Sequence, residues 1–196
     1  IKAIEFDGHR VLGKVEDFAE IYYKEGADEL IYQDTVASLY GRNGLLQIIS
    51  KTSRNIFIPL TVAGGLRSLE DISSVLSAGA DKVGINTYAI KKPKFISEAA
   101  NEFGSQCIVS SIEAYQMSNG KYCIWTDYGR EVTSIDALEW AKKVEDFGAG
   151  EIIINTKTYS NILKNCSTTD FSILFVIKTN LVERSSSGHF SSHSNG

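Results

Sequence analysis

Short apolar runs rich in β-branched residues recur along the chain, at Glu29–Asp34, Ile56–Val62, Lys82–Asn86, Cys107–Ala114 and Glu151–Thr156. Between them, Val15–Lys24, Gly44–Ser53, Ser68–Ser77, Pro93–Glu102 and Ile135–Phe147 repeat apolar residues at the period of a helix packed on one side. Strand and helix in alternation predict a parallel sheet covered by helices. A further run, Phe171–Lys178, reads as one more strand, and Ile1–Phe6 as the remains of an earlier strand or its loop.

Three helices end alike. Gly26, Gly79 and Gly148 open the sequences GADE, GADK and GAGE, where glycine supplies a left-handed cap before the chain enters a strand. A longer internal similarity aligns Gly26–Tyr32 with Gly148–Ile154, and in that register Phe18 meets Trp140, Ala19 meets Ala141 and Glu29 meets Glu151. Two such halves make about 250 residues, the usual size of an eight-stranded barrel. The 196 residues are too few for both halves. The expected fold is therefore α/β, an incomplete (β/α)8 barrel of about six units over residues 1–180. From Ser185 onward serine and glycine dominate, so residues 181–196 are expected to form a disordered tail.

Composition narrows the ligand. A net charge of -4 and a pI near 5.4 give no broad attraction to nucleic acid or anionic membrane, so an anion must be held by local geometry. Neither a signal-peptide core nor a long apolar span is present, and Cys107, Cys123 and Cys166 form no CxxC pair; a reducing cytoplasm is expected. His189 and His193 stand at metal-ligand spacing but in a polar tail without cysteines or acids nearby, so no metal or cofactor is expected.

Candidate chemistry gathers where the strands end. Gly64 and Gly65 follow one strand directly and precede a helix opened by Ser68, Glu70 and Asp71; backbone amides there can face an anion, although a tight turn alone also asks for glycine. The next strand ends in Gly84-Ile85-Asn86-Thr87, adding an amide and a hydroxyl on the adjacent rim position. Together they predict a phosphate site on the face where barrels build active sites. Asp34 and Glu113 close two other strands and are candidate acid–base groups. Asp34 serves equally as a strand-end cap, whereas burial of Glu113 in an apolar strand would raise its pKa toward a useful range. At the strand starts, Glu29, Asp81, Lys82 and Glu151 predict salt bridges across the opposite rim.

The runs Gly26–Leu30, Pro59–Gly65, Gly79–Thr87, Phe103–Gln106 and Gly148–Ile152 occur in an order and spacing that closely resemble the cyclase subunit of imidazole glycerol phosphate synthase, over roughly Lys2 to Asn155. The resemblance implies a barrel that takes ammonia from a glutaminase partner, in a heterodimer, and reacts it with a phosphoribulosyl formimino aminoimidazole carboxamide ribotide. Imidazole glycerol phosphate and aminoimidazole carboxamide ribotide would be the products. By motif position it implies a phosphate site at Gly64, Gly65, Asn86 and Thr87, and a mobile first-loop lysine at Lys2. Asp34 falls on the second-strand aspartate, and Glu29, Lys82 and Glu151 on three of four charged residues around the ammonia entrance.

Departures from the family pattern point to an impaired form. The chain begins downstream of the first-strand catalytic aspartate and entrance arginine, and Lys157-Thr158-Tyr159-Ser160 replaces the Asp-x-Asp-Gly expected after the sixth strand. Motifs of the second phosphate site are not found. Glu113 stands for the fifth-strand aspartate and Ala63 for a third loop glycine; both resemble branches that, with an amidotransferase, modify sugars for surface polysaccharides. A non-catalytic phosphate-binding or partner-binding module is the remaining alternative.

Overall fold

The computed structural model describes residues 2–4, 7–10, 14–34, 43–126, 131–157 and 173–178. The proposed tail at 181–196 lies outside them. The chain opens with β1 (Lys2–Ile4) and β2 (Asp7–Arg10), an antiparallel pair separate from the main sheet. The segment expected to be left over from an earlier strand thus pairs with its own continuation.

The alternating pattern then takes physical form as α1 (Val15–Lys24), β3 (Leu30–Gln33), α2 (Asn43–Asn55), β4 (Leu60–Ala63), α3 (Leu69–Ser77) and β5 (Lys82–Ile85). A short α4 (Thr87–Lys91) and α5 (Lys94–Phe103) lead into the long β6 (Ile108–Gln116). After β7 (Tyr122–Thr126) and β8 (Glu131–Asp136) come α6 (Ala137–Asp146), β9 (Glu151–Lys157) and β10 (Ile173–Lys178). Strands β3, β4, β5, β6 and β9 lie side by side in that order, all parallel. One face of them, including Val62, Val83, Ile108, Ile112 and Ile152, joins Ile49, Ile72, Phe95 and Val144 of the helices in a single apolar core.

Three expectations are corrected. The run at Ile56–Val62 becomes strand only at Leu60: the Ile56 N–H still bonds to the Thr52 carbonyl, and Pro59 has no N–H to give a ladder. The Phe171–Lys178 run, expected as another parallel unit, pairs antiparallel with β9 as β10. A parallel neighbour needs a crossover that returns the chain to the starting edge, and an antiparallel one does not. The third is β7–β8, an antiparallel extension from the far end of β6 that periodicity did not separate from loop. Its alternation is real, with Ile124 and Thr126 buried and their neighbours less so, but the strands are short and interrupted.

The repeated glycines do what their spacing predicts. At Gly26, Gly79 and Gly148 φ is +91°, +114° and +96°. In each case the glycine N–H and that of the next alanine bond back to two successive carbonyls of the last helical turn, Tyr23 and Tyr22, Leu76 and Val75, Glu145 and Val144. This pair of bonds satisfies carbonyls that a helix end leaves open and turns the chain toward the next strand.

Candidate functional site

Side chains alternate between the two faces of a strand. Counting by twos places Glu29, Ile31 and Gln33 on one face of β3 and its entrance, with Thr61 and Ala63 of β4, Lys82, Gly84 and Asn86 along β5, Ser111 and Glu113 of β6, and Glu151, Ile153 and Asn155 of β9. The opposite parity is the one packed under helices. The inward face therefore carries the polar residues, and it joins two distinct ends.

At the C-terminal ends of β4 and β5 is a cavity of about 340 Å³, walled by Gln33, Ala63 to Arg67, Gly84, Asn86 to Tyr88, Lys91 and Ser111. Gly64 (φ +116°) and Gly65 (φ +65°) adopt left-handed backbone, and a Cβ on Gly64 would run into the Asp34 carbonyl. No other residue fits there. A Cβ on Gly84 would lie 2.6 Å from that of Ala63, so both positions must stay small for β4 and β5 to pair with the cavity open. The Asn86 side-chain oxygen is buried and accepts no hydrogen bond among the described residues. A buried unsatisfied amide is costly unless a ligand completes it.

At the start of α3 the amides of Arg67, Ser68 and Asp71 are already committed. Ser68 and Asp71 form a capping box, and the Asp71 carboxylate accepts from the Arg67 N–H at 2.9 Å and the Ser68 N–H at 3.0 Å. Gly64, Gly65, Asn86 and Thr87 line the cavity outside this cap.

At the opposite ends of the strands, the Lys82 ammonium bonds to the Glu29 carboxylate at 2.6 Å and to both oxygens of Glu151 at 2.9 and 3.0 Å. Glu29 also accepts from the Thr61 hydroxyl at 3.2 Å. The three charged side chains are 12 to 21% exposed. They come from β3, β5 and β9, alternate strands of the sheet, as in the side-chain layers that fill a closed barrel. Burial disfavours charge on Lys82, but hydrogen bonds and charge from Glu29 and Glu151 outweigh it and hold the ammonium pKa above its ordinary 10.5. Asp81, grouped with these residues by sequence, instead accepts from the Leu60 N–H at 2.8 Å.

The remaining candidates fall apart from the cavity wall. Gln33 faces the cavity, whereas Asp34 follows it on the other parity. Burial pushes the Tyr32 phenol up, reinforced by the charges of Asp34 and Glu16. Glu113 is half-buried, two residues beyond Ser111 on the same face, paired across the strands with Trp125 and Asn155. Lys2 lies in β1, away from the main sheet's pairing. Sequence reasoning passed over Arg67 and Lys91 on the cavity wall; the signal available was that Lys91 stands one helical turn after Thr87.

A parallel sheet with helices packed on one face, a cavity beyond its strand ends and a charged layer at its strand starts is the architecture of a partial (β/α) barrel. Residues 1–158 match the model of the family described as histidine biosynthesis protein, and the chain belongs to that family. It is 53% identical over 156 residues to the imidazole glycerol phosphate synthase subunit HisF of Legionella pneumophila, covering 80% of this chain and 74% of that protein. To the subunit HisF of Exiguobacterium sp. it is 47% identical over 156 residues, with 80% of this chain and 61% of that protein covered.

Proposed function

We propose that this chain serves as the cyclase subunit of an imidazole glycerol phosphate synthase in histidine biosynthesis, receiving ammonia from a glutaminase partner at one end of its sheet and holding a phosphorylated substrate at the other. The observation that carries this reading is the single inward face of β5. It runs from Lys82 in the charged layer, past Gly84, to Asn86 at the cavity. Because Gly84 has no side chain and Thr61 and Ala63 beside it are small, the interior between the two ends is not filled by a bulky group from these strands.

Each part has a chemical task. Gly64 and Gly65 offer backbone at close range, and Asn86 and Thr87 polar side chains, to a substrate phosphate; pinning that remote group spends binding energy on orienting the reacting carbon. Glu29, Lys82 and Glu151 spend their hydrogen-bonding capacity on one another, which favours passage of neutral ammonia over bulk water, a competing nucleophile. Glu113 moves protons at the reacting centre, Asp34 fixes the end of β3, and Lys2 contributes from the first loop. Lys157-Thr158-Tyr159-Ser160, where the family carries acids, lowers the rate of the chemical step.

With ammonium salt as nitrogen source and substrate loss followed by absorbance, Asn86→Ala raises KM about tenfold or more, as loss of a charge-assisted contact does, while Glu113→Gln lowers kcat. Turnover is slow in the unsubstituted protein. An unchanged KM in Asn86→Ala sinks the phosphate assignment, and turnover matching that of the Legionella protein sinks the impairment.

A further inference from the structure

Two polar atoms on the inward face are buried with no hydrogen-bond partner among the described residues, the Asn86 side-chain oxygen and the Trp125 indole nitrogen. They are of opposite kind: the oxygen accepts, and the indole N–H can only donate. Strand pairing brings them into one row. Strand β9 holds one edge of β6 from Val109 to Tyr115, so β5, paired with Ile108 to Ser110, and β7, paired with Glu113 to Gln116, share the other. The line of β5 is thus continued past its end by β7. Ile85 is level with Ser110, and Trp125 with Glu113, which sets Trp125 two residues beyond the level of Asn86, roughly 7 Å at a strand's rise. Residues directly opposite on antiparallel strands share a face, so Trp125 stands on the face of Glu113, beyond the cavity. Its ring lies 4.6 Å from that of Tyr115, tilted by 30°, and this neighbour narrows the rotamers open to the indole. A buried donor held in place without an acceptor is costly unless a ligand supplies one.

We propose that Trp125 is a substrate-contacting residue which, with the Asn86 side-chain oxygen, recognises hydroxyl groups of the sugar that the bound phosphate carries. This rests on the phosphate site proposed above and adds what is read beside it. A hydroxyl both donates and accepts, so it completes an orphaned acceptor and an orphaned donor alike. The oxygens of a phosphate dianion only accept, and they leave the Asn86 oxygen unmet. A pentose 5-phosphate carries hydroxyls within the span that separates Asn86 from Trp125, and one reaching Trp125 also comes up to Glu113, directly across the ladder. A site built to bond a hydroxyl discriminates against an analogue that lacks it, because its own polar groups then stay unpaired. The row from Asn86 to Trp125 therefore fits a phosphorylated sugar better than an alkyl phosphate of the same charge.

The test is calorimetric titration of the full chain at pH 8 with ribose 5-phosphate and with butyl phosphate, a terminal monoester without hydroxyls. The unsubstituted protein is compared with Trp125→Phe, which keeps an aromatic ring beside Tyr115 and removes the donor. Expected is a preference for ribose 5-phosphate that falls by about fivefold in Trp125→Phe, the effect of one hydrogen bond, while butyl phosphate affinity stays within about twofold. An unchanged preference in the variant overturns the contact. Tryptophan emission of the unsubstituted protein gives a second reading that needs no variant. The chain has two tryptophans, and Trp140 is 4% exposed in the core, so a shift on saturation with ribose 5-phosphate but not with butyl phosphate reports Trp125. No shift, or the same shift with both, overturns the contact as well. If both compounds bind equally tightly, the sugar contact falls and the phosphate site stands; if neither binds, both fall.

Discussion

Lys82 is a tightly held charge, bonded to Glu29 and Glu151 and 13% exposed. With two carboxylates on one ammonium and little solvent, its removal leaves Glu29 and Glu151 facing each other without a counter-ion. Lys82→Met is expected to destabilise the protein by about 3 kcal/mol, the cost of breaking a largely buried ion pair from one side, measured by urea unfolding at pH 8. The pH dependence has a definite sign: the folded pKa lies above 10.5, so the contribution is complete below that value and is lost as pH climbs through the folded pKa. The gap between Lys82→Met and the unsubstituted protein should therefore narrow above pH ~10.4; a gap that widens there contradicts the assignment. All three members of this cluster were legible as charges at strand starts. Arg67 and Lys91 were not legible as cavity-wall residues, because exposed cations on a loop and a helix end look like any solvated surface.

Helices and strands followed the hydrophobic period wherever one side packs on the core, as in α1, whose bounds coincide with those expected. Boundaries moved where local chemistry competed, as at Pro59. The capping box at Ser68 holds the start of α3 beside the cavity, committing the amides of Ser68 and Asp71. Ser68→Ala is expected to cost about 1 kcal/mol, typical of a lost cap, seen as a lower unfolding midpoint with an unchanged denaturant slope. Phosphate affinity should stay within about twofold, since additive behaviour is usual for groups that share no partner; a large loss of affinity would mean that α3's start binds the anion after all. The β7–β8 extension was missed because its short strands pair only with each other and the end of β6, so no long periodic stretch announces them.

Across the whole molecule, one inward face links two sites that sit at opposite ends of β5. Lys82 and Asn86 are four residues apart on a strand, about 13 Å at the strand's rise per residue. At that separation the effects of Lys82→Met and Asn86→Ala on stability should add within about 0.5 kcal/mol; a larger coupling would show that the interior transmits strain between the rims. The sequence alone determined the alternation of strand and helix, the three glycine-ended helices, the charged strand starts and the family motifs, because these rest on local periodicity and on backbone positions only glycine can fill. The tertiary structure decided the rest: that strands far apart in sequence bring Glu29, Lys82 and Glu151 into one layer, that Gln33 rather than Asp34 faces the cavity, that β10 runs antiparallel to β9, and that Arg67 and Lys91 join the cavity wall. Those outcomes depend on which strands become neighbours and which face turns inward, and long-range packing sets both.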